Sequence, residues 1–346
     1  MKKIGVGIVG YGFSSVTFHI PLLQTIEEYE IRAIVSSKRE QVQENLPHVE
    51  VLATVEELVQ KENIDLVIIT SPNTTHYSYA KQAIEHKKHV VVEKPFVISS
   101  EEGEELLQLV KEQQVVLSVY HNRRWDNDFL TIQKLIREGQ LGSIYTYEAH
   151  FDRFRPHVRD RWREHNLPGS GMLYDLGSHL IDQALHLFGK PKTVFADVVM
   201  QRQGAQTDDY FHIVLGYDKL RVLLHSSSFI KIQGPRFSVH GEKGSIIKYG
   251  IDSQEEQLKQ GLKPGDKRFG EDTKEHYAML SVEEHGETIT SIIPTERGNY
   301  QAYYRGIHNS IIYHTEPPVS AEDGLHVIQV IEACLASGRE QRVISL

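Results

Sequence analysis

One segment of the sequence places two groups capable of proton transfer one helical turn apart. His179 follows Asp175 by four residues, and Asp182 follows His179 by three. On a helix these spacings put all three side chains on one face. A carboxylate beside an imidazole orients the ring and stabilises its charged form, which suits general acid–base chemistry. A capped helix with a structural Asp/His contact and a metal site built from the same three residues are the alternatives.

A lysine follows one of the apolar runs. His89 to Val92 leads into Glu93-Lys94-Pro95, which places Lys94 at the carboxyl end of a predicted parallel strand, where ligands bind in such sheets. Its ammonium group can polarise a carbonyl or bind a hydroxyl. Lysines also occur at strand ends without a chemical role, and the tripeptide alone does not separate these interpretations.

A pair of glycines lies between the first predicted strand and the first predicted helix. Gly10 and Gly12 begin the run GYGFSS, in which Ser15 replaces the third glycine of the dinucleotide-binding fingerprint. Glycines there permit a tight turn and let backbone N–H groups approach a pyrophosphate at the helix N-terminus. An ordinary strand-to-helix turn is the alternative, but the position at the start of a βαβ unit favours a cofactor site.

The choice of cofactor is predicted from the end of the second strand. An Asp or Glu there would bind the ribose 2′-hydroxyl of NAD, whereas this chain has Ser36, Ser37, Lys38 and Arg39 before its first carboxylate, Glu40. Hydroxyls and cations suit a 2′-phosphate, which an arginine can hold through paired hydrogen bonds. The sequence therefore favours NADP(H), although Ser37 and Glu40 also match a helix-capping box.

The elements that must position these groups alternate between strand and helix over the first 120 residues. The predicted strands are Ile4 to Val9, Ile31 to Val35, Val49 to Ala53, Leu66 to Thr70, His89 to Val92 and Val115 to Val119. The predicted helices are Val16 to Ile26, Arg39 to Leu46, Val55 to Lys61, His76 to His86 and Ser100 to Gln113. This alternation predicts an α/β Rossmann domain with a doubly wound parallel sheet at residues 1–121.

After His121 the pattern changes to that of an α+β domain at residues 122–346. Helices are predicted at Asp128 to Arg137 and Leu173 to Leu187. The predicted strands are Tyr145 to Arg153, Phe195 to Gln201, Tyr210 to Gly216, Arg221 to Phe229, Arg236 to Gly241 and Ser245 to Tyr249. Strands that follow one another without helices predict a large, mostly antiparallel open sheet. A C-terminal helix at about 321–337, capped by Ser320 and Asp323, is expected to pack back on the first domain.

Composition excludes several classes of protein. A chain of 346 residues predicts two domains, and its formal charge of −9 argues against nucleic acid as the main partner. No apolar stretch approaches the roughly 20 residues needed to cross a bilayer, so no membrane association is expected. A single cysteine, Cys334, fits a reducing cytoplasm. The nineteen histidines show no HExxH and no paired-cysteine pattern, so no metal is expected.

Together these motifs resemble the Gfo/Idh/MocA oxidoreductases over essentially the whole chain. The glycine turn, Ser71-Pro72-Asn73 with His76, Glu93-Lys94-Pro95 and GSGxxxDxGSHxxD carry the resemblance. GYGFSS, HNRRWDNDF, RWRE and LYDLGSHLIDQALHLFG are similar to members that interconvert scyllo-inositol and a keto-inositol with NADP. The resemblance implies hydride transfer between NADP(H) and a ring carbon of a cyclitol or sugar. With an uncovered sheet face, it also implies a homodimer or homotetramer.

The resemblance further implies roles for individual residues. Lys94 would contact the reacting oxygen and the nicotinamide, while Asp175 and His179 would handle the proton, with His179 as acid/base. The expected cofactor-binding residues are Gly10, Gly12, Phe13, Ser14, Ser36, Ser37, Arg39, Ser71, Asn73, His76, Glu93, Lys94, Asn122, Trp162 and Arg163. The expected substrate-binding residues are Lys94, Asn122, Arg155, Asp175, His179 and Tyr304.

Alternatives remain for some of these roles. For Arg155 the alternative to substrate binding is a surface charge. For Tyr304 the alternative is a helix-packing residue. A cofactor-binding regulator or sensor without catalysis is the competing function, because the same fold supports both. The presence of the lysine and of the Asp/His pair disfavours that alternative.

Overall fold

The computed structural model describes residues 3–346 and separates into two compact units. Unit 1 contains the described residues through Asn122, together with Gln254–Phe269 and Asn299–Leu325. Unit 2 contains Arg123–Ser253, Gly270–Gly298 and His326–Leu346. The predicted domain division between residues 121 and 122 and the predicted packing of the C-terminal helix on the first domain both stay predictions.

The described strands fall into two sheets. They are β1 (Ile4–Val9), β2 (Tyr29–Val35), β3 (Glu50–Leu52), β4 (Leu66–Ile69), β5 (His89–Val92), β6 (Leu117–Val119), β7 (Ile144–His150), β8 (Thr193–Val199), β9 (Tyr210–Gly216), β10 (Arg221–Ser227), β11 (Phe237–Gly241), β12 (Gly244–Lys248), β13 (Ala278–Glu284), β14 (Glu287–Ile293) and β15 (Ile344–Ser345).

The described α-helices connect and cover these strands. They are α1 (Ile20–Leu23), α2 (Arg39–Asn45), α3 (Val55–Val59), α4 (His76–Glu85), α5 (Ser100–Gln113), α6 (Asn127–Arg137), α7 (Ser178–Phe188), α8 (Gln254–Lys259), α9 (Gln301–Tyr313) and α10 (Ala321–Glu340). Among residues 3–346, no helix combines the length and apolarity needed to cross a membrane.

The sheet of unit 1 is parallel, with strand order β3-β2-β1-β4-β5-β6. Every residue of β1 and β4 is buried, as expected of strands covered by helices on both faces. Because the strand order reverses between β1 and β4, the carboxyl ends of these strands border the crevice in which such sheets bind ligands. The predicted doubly wound Rossmann fold is confirmed.

The sheet of unit 2 has nine strands in the order β14-β13-β12-β11-β7-β10-β9-β8-β15. All neighbouring pairs are antiparallel except β7 and β10. The helices α6 and α7 cover one face, where Tyr147 packs 5.3 Å from Phe188 and Phe129 packs 6.5 Å from Phe237, ring centre to ring centre. The predicted mostly antiparallel sheet is confirmed.

Some features of the structure were not predicted from the sequence, among them a hairpin and two irregular helix starts. The β13–β14 hairpin turns at His285-Gly286, where φ is +54° and +83°, the backbone that tight hairpin turns require. Most residues of β14 are exposed, and its sequence ETITSII does not alternate regularly between apolar and polar residues. The predicted helices beginning near Val16 and Leu173 are also irregular, because each starts with a π-helical turn, at Ser15–His19 and Leu173–Gly177.

Candidate functional site

The glycine turn of unit 1 is shaped by close backbone contacts. Gly10 has φ +104°, and a Cβ there would lie 2.9 Å from the Thr70 hydroxyl, so only glycine fits without strain. A Cβ at Gly12 would meet nothing within 4 Å. Ser15 closes the loop, because its hydroxyl lies 2.9 Å from the Gly12 nitrogen and 3.0 Å from the Gly12 oxygen. The residue that replaces the third glycine thus stabilises the turn.

A cleft of about 650 Å³, part of it open solvent, lies beside this turn. Gly12 and Phe13 line it from the loop, and Lys38, Gln41 and Asn45 line it from the region of α2. No carboxylate is among its described lining residues. The cleft combines a backbone open to close approach with a cation, which is the environment that a phosphorylated ribose requires.

The cation in this cleft is Lys38, whereas the sequence pointed to Arg39. The Arg39 guanidinium donates to the Val51 carbonyl at 2.9 Å, which directs it toward β3. Ser37 is exposed, and α2 begins at Arg39 without a side-chain cap, so the alternative of a Ser37/Glu40 capping box is wrong. The Ser36 hydroxyl instead accepts from the Lys38 N–H at 3.0 Å.

Glu93 is the centre of a hydrogen-bond network in unit 1. The Ser14 hydroxyl donates to Oε1 of Glu93, the same oxygen lies 3.0 Å from Nε2 of His19, and the Lys94 N–H donates to Oε2 at 3.1 Å. The other ring nitrogen of His19 contacts the hydroxyl of Tyr304. The network ties the glycine loop to the end of β5, where Lys94 stands.

The charge on Glu93 is stabilised by this network. Burial by itself raises the pKa of a carboxyl group, but His19, Ser14 and Lys94 lower the pKa of Glu93 to about 2. The carboxylate therefore stays ionised throughout the physiological range and holds the backbone of Lys94 in place. Lys94 itself is half-buried and precedes a cis Lys94-Pro95 peptide bond.

Four more predicted cofactor residues lie near the carboxyl ends of the strands of unit 1. His76 is buried, and its ring nitrogens lie 2.8 Å from the Pro95 oxygen and 3.0 Å from the Ser71 oxygen. It therefore joins the segments that follow β4 and β5, and burial lowers its pKa. Asn73 begins a short 3₁₀-helix and is buried, as is Asn122 at the end of the unit's first segment.

Unit 2 contains a cleft of about 400 Å³, part of it open solvent, that is dominated by arginines. The arginines that line it are Arg153, Arg155, Arg161, Arg163 and Arg202. Three have a carboxylate neighbour, since Arg202 lies 2.8 Å from Asp209, Arg161 lies 2.6 Å from Glu164 and Arg163 lies 3.6 Å from Asp175. Burial, with the charges of Arg159 and Arg161, lowers the pKa of Arg155. The cleft thus brings five arginines together with several carboxylates.

Asp175 and Asp208 line the same cleft. Asp175 remains 23% exposed, and its Oδ1 lies 3.6 Å from Nε of Arg163. Asp208 accepts from the Leu173 N–H at 2.6 Å and so fixes the start of the helical segment that carries Asp175. Gly171, with φ +99°, is required there because a Cβ would lie 2.0 Å from Oδ1 of Asp208. The glycine of the GSG motif therefore makes room for a carboxyl group.

Asp208 differs from most carboxyl groups in its affinity for protons. Burial raises the pKa of Asp208 to about 6, and the hydrogen bonds from the Leu173 and Asp208 backbone only partly offset that effect. A carboxyl group with a pKa near neutrality in a cleft is a candidate for proton transfer.

Asp175, His179 and Asp182 were predicted to share one helix face, but their side chains lie in different environments. Asp182 forms a buried ion pair with Arg124, whose Nη2 lies 2.7 Å from Oδ1, so it is committed to a structural contact. His179 is buried, with its ring centre 6.4 Å from that of Phe151, and it is not among the residues lining the arginine cleft. The structure therefore brings Asp175 together with Arg155 and Arg163, but leaves Asp182 out.

The structure also places Arg163, a predicted cofactor-binding residue, and Tyr304, a predicted substrate-binding residue. The Arg163 guanidinium stacks on the ring of Trp162 at 4.4 Å, and Arg163 lines the arginine cleft. Tyr304 is fully buried, and its hydroxyl contacts His19, so the geometry favours the helix-packing alternative over substrate contact.

Sequence reasoning missed His19, Lys38 as the cleft-lining cation, and Asp208. His19 lies inside a predicted helix with no motif around it, and its partner Glu93 is 74 residues away. Asp208 lies in the polar stretch between two strands and follows no spacing rule. Lys38 stood next to Arg39 in the sequence, and only the direction of the two side chains distinguishes them.

The chain is similar to known oxidoreductases along its whole length. Residues 4–121 match the model of the oxidoreductase family NAD-binding Rossmann fold, and residues 133–346 match that of its C-terminal alpha/beta domain. Scyllo-inositol 2-dehydrogenase (NADP(+)) IolW of Bacillus subtilis is 48% identical over 346 residues, covering 100% of this chain and 97% of the relative. The oxidoreductase YdgJ of Escherichia coli is 43% identical over 99% of each chain.

Solved structures agree with these matches. The oxidoreductase yvaA from Bacillus subtilis is 48% identical, with a TM-score of 0.98 over 100% of this chain and 99% of that one. The oxidoreductase YPO2259 from Yersinia pestis is 40% identical, with a TM-score of 0.95 over 100% of this chain and 97% of that one. On the evidence of its glycine turn, its parallel sheet and these full-length matches, the chain belongs to the Gfo/Idh/MocA family of oxidoreductases.

Proposed function

We propose that this protein is an NADP(H)-dependent dehydrogenase that interconverts a ring alcohol of a cyclitol or sugar with the ketone, with scyllo-inositol and a keto-inositol as the preferred pair. The observation that carries the proposal is the 48% identity, over the whole chain, with a relative named for that activity. The same relative disfavours a sensor without catalysis.

The residues present fit NADP(H). Gly10 and Gly12 leave the turn open to a pyrophosphate, and Lys38, with Ser36 and Ser37 beside it, offers donors to a 2′-phosphate at the end of β2. Ser14, through Glu93, joins this turn to Lys94. The further cofactor contacts that we propose are those of Phe13, Arg39, Ser71, Asn73, His76, Asn122, Trp162 and Arg163. When bound, the nicotinamide supplies or accepts the hydride.

In the proposed reaction, residues of this chain bind the reacting oxygen and move its proton. The Lys94 ammonium holds the oxygen and stabilises the negative charge that develops on it. His179 accepts the hydroxyl proton in the oxidative direction and returns it in the reductive direction. Asp175 orients the imidazole or contacts a substrate hydroxyl, and Arg155 and Asn122 bind further hydroxyl groups.

Assembly and location are also part of the proposal. The sheet face of unit 2 opposite α6 and α7 exposes apolar side chains, among them Phe195, Met279 and Ile292. Such a face favours association, so we propose a homodimer or homotetramer in the cytoplasm. Light scattering at micromolar concentration should give a multiple of the 39.6 kDa chain mass, and a monomer mass would contradict the assembly.

A substrate panel tests the proposed activity. Scyllo-inositol, other inositols, sugars and keto-inositols are assayed by nicotinamide absorbance with each cofactor. We expect turnover of an inositol pair with a kcat/KM about tenfold or more higher for NADP(H) than for NAD(H), a difference of about 1.4 kcal/mol in activation free energy. Turnover of no polyol, or a preference for NAD(H), would contradict the proposal.

A further inference from the structure

Three histidines stand in a row across the sheet of unit 2. His150 of β7 pairs in register with His225 of β10, and His225 pairs with His212 of β9. Side chains of residues directly opposite each other on neighbouring strands lie on the same face. Tyr147 and Ala149, which alternate with His150, are buried, so the row lies on the face opposite α6 and α7. Asp152, two residues beyond His150, approaches the row.

Asp152 brings its two carboxylate oxygens against two of these rings. Its Oδ1 lies 2.8 Å from Nδ1 of His225, and its Oδ2 lies 3.3 Å from Nδ1 of His150. One ligand atom from each of the three residues lies within 4.8 Å of the others. Ligand atoms bonded to one ion at about 2.0 to 2.2 Å are necessarily this close together. Among the described residues, this is the group of three or more His, Cys, Asp or Glu side chains with such spacing.

A second observation concerns Nδ1 of His225. This atom is buried, and despite its closeness to Asp152 it has no hydrogen-bond partner of acceptable geometry among the described residues. A buried polar atom without a hydrogen bond is costly. A cation that takes the nitrogen lone pair and the carboxylate together would satisfy both groups. The Ser227 N–H donates to Oδ1 of Asp152 at 3.1 Å, a contact of the kind that orients metal-binding carboxylates.

We propose that His150, Asp152 and His225 bind a divalent transition-metal ion such as Zn²⁺. Two imidazoles and one carboxylate match the ligand preference of Zn²⁺, Co²⁺ and Ni²⁺ and not that of Mg²⁺ or Ca²⁺, which bind through oxygen. Three protein ligands leave a coordination position for water. None of the three residues lines the arginine cleft of unit 2, so the site is separate from the residues to which hydride chemistry is assigned above. The ion would fasten the ends of β7 and β10 together.

The test is a titration of the full-length, untagged protein after treatment with a chelator. Calorimetry with Zn²⁺ should give one equivalent per chain, Co²⁺ should produce visible absorption bands on binding, and Mg²⁺ should not bind. His225→Ala should weaken Zn²⁺ binding about tenfold or more, by analogy with losses of 10- to 100-fold for lesser contacts around metals. His150→Ala is the second variant, and its ring is 31% exposed, so the substitution leaves the core intact.

The matched control is His276→Ala. His276 lies 3.2 Å from Asp272, which makes it a His/Asp pair of similar geometry without a second histidine. Weakened Zn²⁺ binding in both site variants and unchanged binding in the control would support the site. Absence of stoichiometric binding, or equal binding by all three variants, would overturn it and leave the cluster as two histidines grouped around one carboxylate.

Discussion

Glu93 in unit 1 and Asp208 in unit 2 are both partly withdrawn from water and both border a candidate binding region, yet burial has opposite outcomes for them. Glu93 receives hydrogen bonds from Ser14, His19 and the Lys94 backbone, and its pKa falls to about 2. Asp208 receives mainly backbone hydrogen bonds, and its pKa rises to about 6. Desolvation raises both pKa values, so the difference comes from the donors and charges around each group.

The two carboxyl groups therefore differ in the donors and charges that the surrounding protein supplies. In unit 1 the ionised carboxylate of Glu93 is stabilised by donors within the protein, and these hydrogen bonds connect the glycine loop to the backbone of Lys94. In unit 2 burial raises the pKa of Asp208 to about 6, in a cleft that several arginines also line.

The largest expected effect tests whether Lys94 and His179 act on substrate. Lys94→Ala and His179→Ala should each lower kcat by on the order of a hundredfold or more, the usual contribution of acid–base or oxyanion groups. NADPH affinity should stay within a few fold, because neither side chain is assigned to the phosphates. Steady-state kinetics and NADPH fluorescence titration measure the two quantities.

Two surface variants serve as controls for these substitutions. Lys192→Ala removes an exposed lysine paired with Asp218, and His276→Ala removes a partly exposed imidazole. Both should keep normal kcat. Near-normal turnover of His179→Ala across the pH range would show that the proton leaves by another route and that the Asp175/His179 pair is a packing feature.

The second effect concerns the stability that the Glu93 network contributes to the folded protein. Glu93→Gln removes a charged acceptor and should lower the free energy of unfolding by about 2 kcal/mol, the size of hydrogen bonds to charged groups. Because the pKa of Glu93 is lowered in the folded state, this stability is present above about pH 4.5 and is lost as the pH falls toward 2. Urea unfolding at several pH values should show the gap between the two proteins closing in acid.

Tyr304→Phe provides a milder variant of the same network, because it removes only the hydroxyl that contacts His19. Its loss of stability should be smaller than that of Glu93→Gln and independent of pH in the acid range. If Glu93→Gln unfolds at the same urea concentration as the unaltered protein, the network does not contribute to the stability of the fold.

A third effect separates the two neighbouring cations at the end of β2. Lys38 lines the cleft beside the glycine loop, whereas Arg39 donates to the Val51 carbonyl. Lys38→Ala should therefore weaken NADPH binding by about tenfold, or 1.4 kcal/mol, and leave NADH binding nearly unchanged. Arg39→Ala should act less on this preference. A larger selective loss in Arg39→Ala would mean that the arginine leaves Val51 when cofactor binds.

The last predicted effect has the opposite pH dependence to that of Glu93. Because the folded-state pKa of Asp208 is raised to about 6 from 3.8, the folded protein binds a proton more tightly there than the unfolded chain does. This contribution to stability should therefore decline as pH rises from about 4 to 6. Asp208→Asn keeps an acceptor for the Leu173 N–H and should flatten that part of the stability profile. A profile identical to that of the unaltered protein would place the pKa of Asp208 in its usual range.

Much of the fold could be predicted because its signals are local. Apolar runs such as Ile4–Val9 and Leu66–Ile69 predict buried parallel strands, and the succession of strands after Thr193 predicts the second sheet. The helix α9 was missed although its buried residues, including Tyr303 and Ile307, keep helical spacing. Its apolar face is interrupted by polar residues, so the periodicity alone was too weak to identify it.

The candidate site was predicted in part. The residue types of Lys94, Asp175 and His179 and their positions at element ends point to hydride chemistry, and their individual roles stay predictions. Asp182 shared the helix face with Asp175 by spacing, yet its carboxylate pairs with Arg124. Spacing along a helix predicts which residues share a face, but which partner meets that face depends on other elements.

The sequence by itself determined most of the strands and helices, the glycine turn and the absence of a carboxylate at the end of β2, because each depends on neighbouring residues. Only the tertiary structure decided that Glu93 meets His19, 74 residues away, that His19 meets Tyr304, 285 residues away, and that Asp208 fills the space left by Gly171. Such contacts depend on strand order and helix packing, which bring distant segments together and set the desolvation and charge around each group.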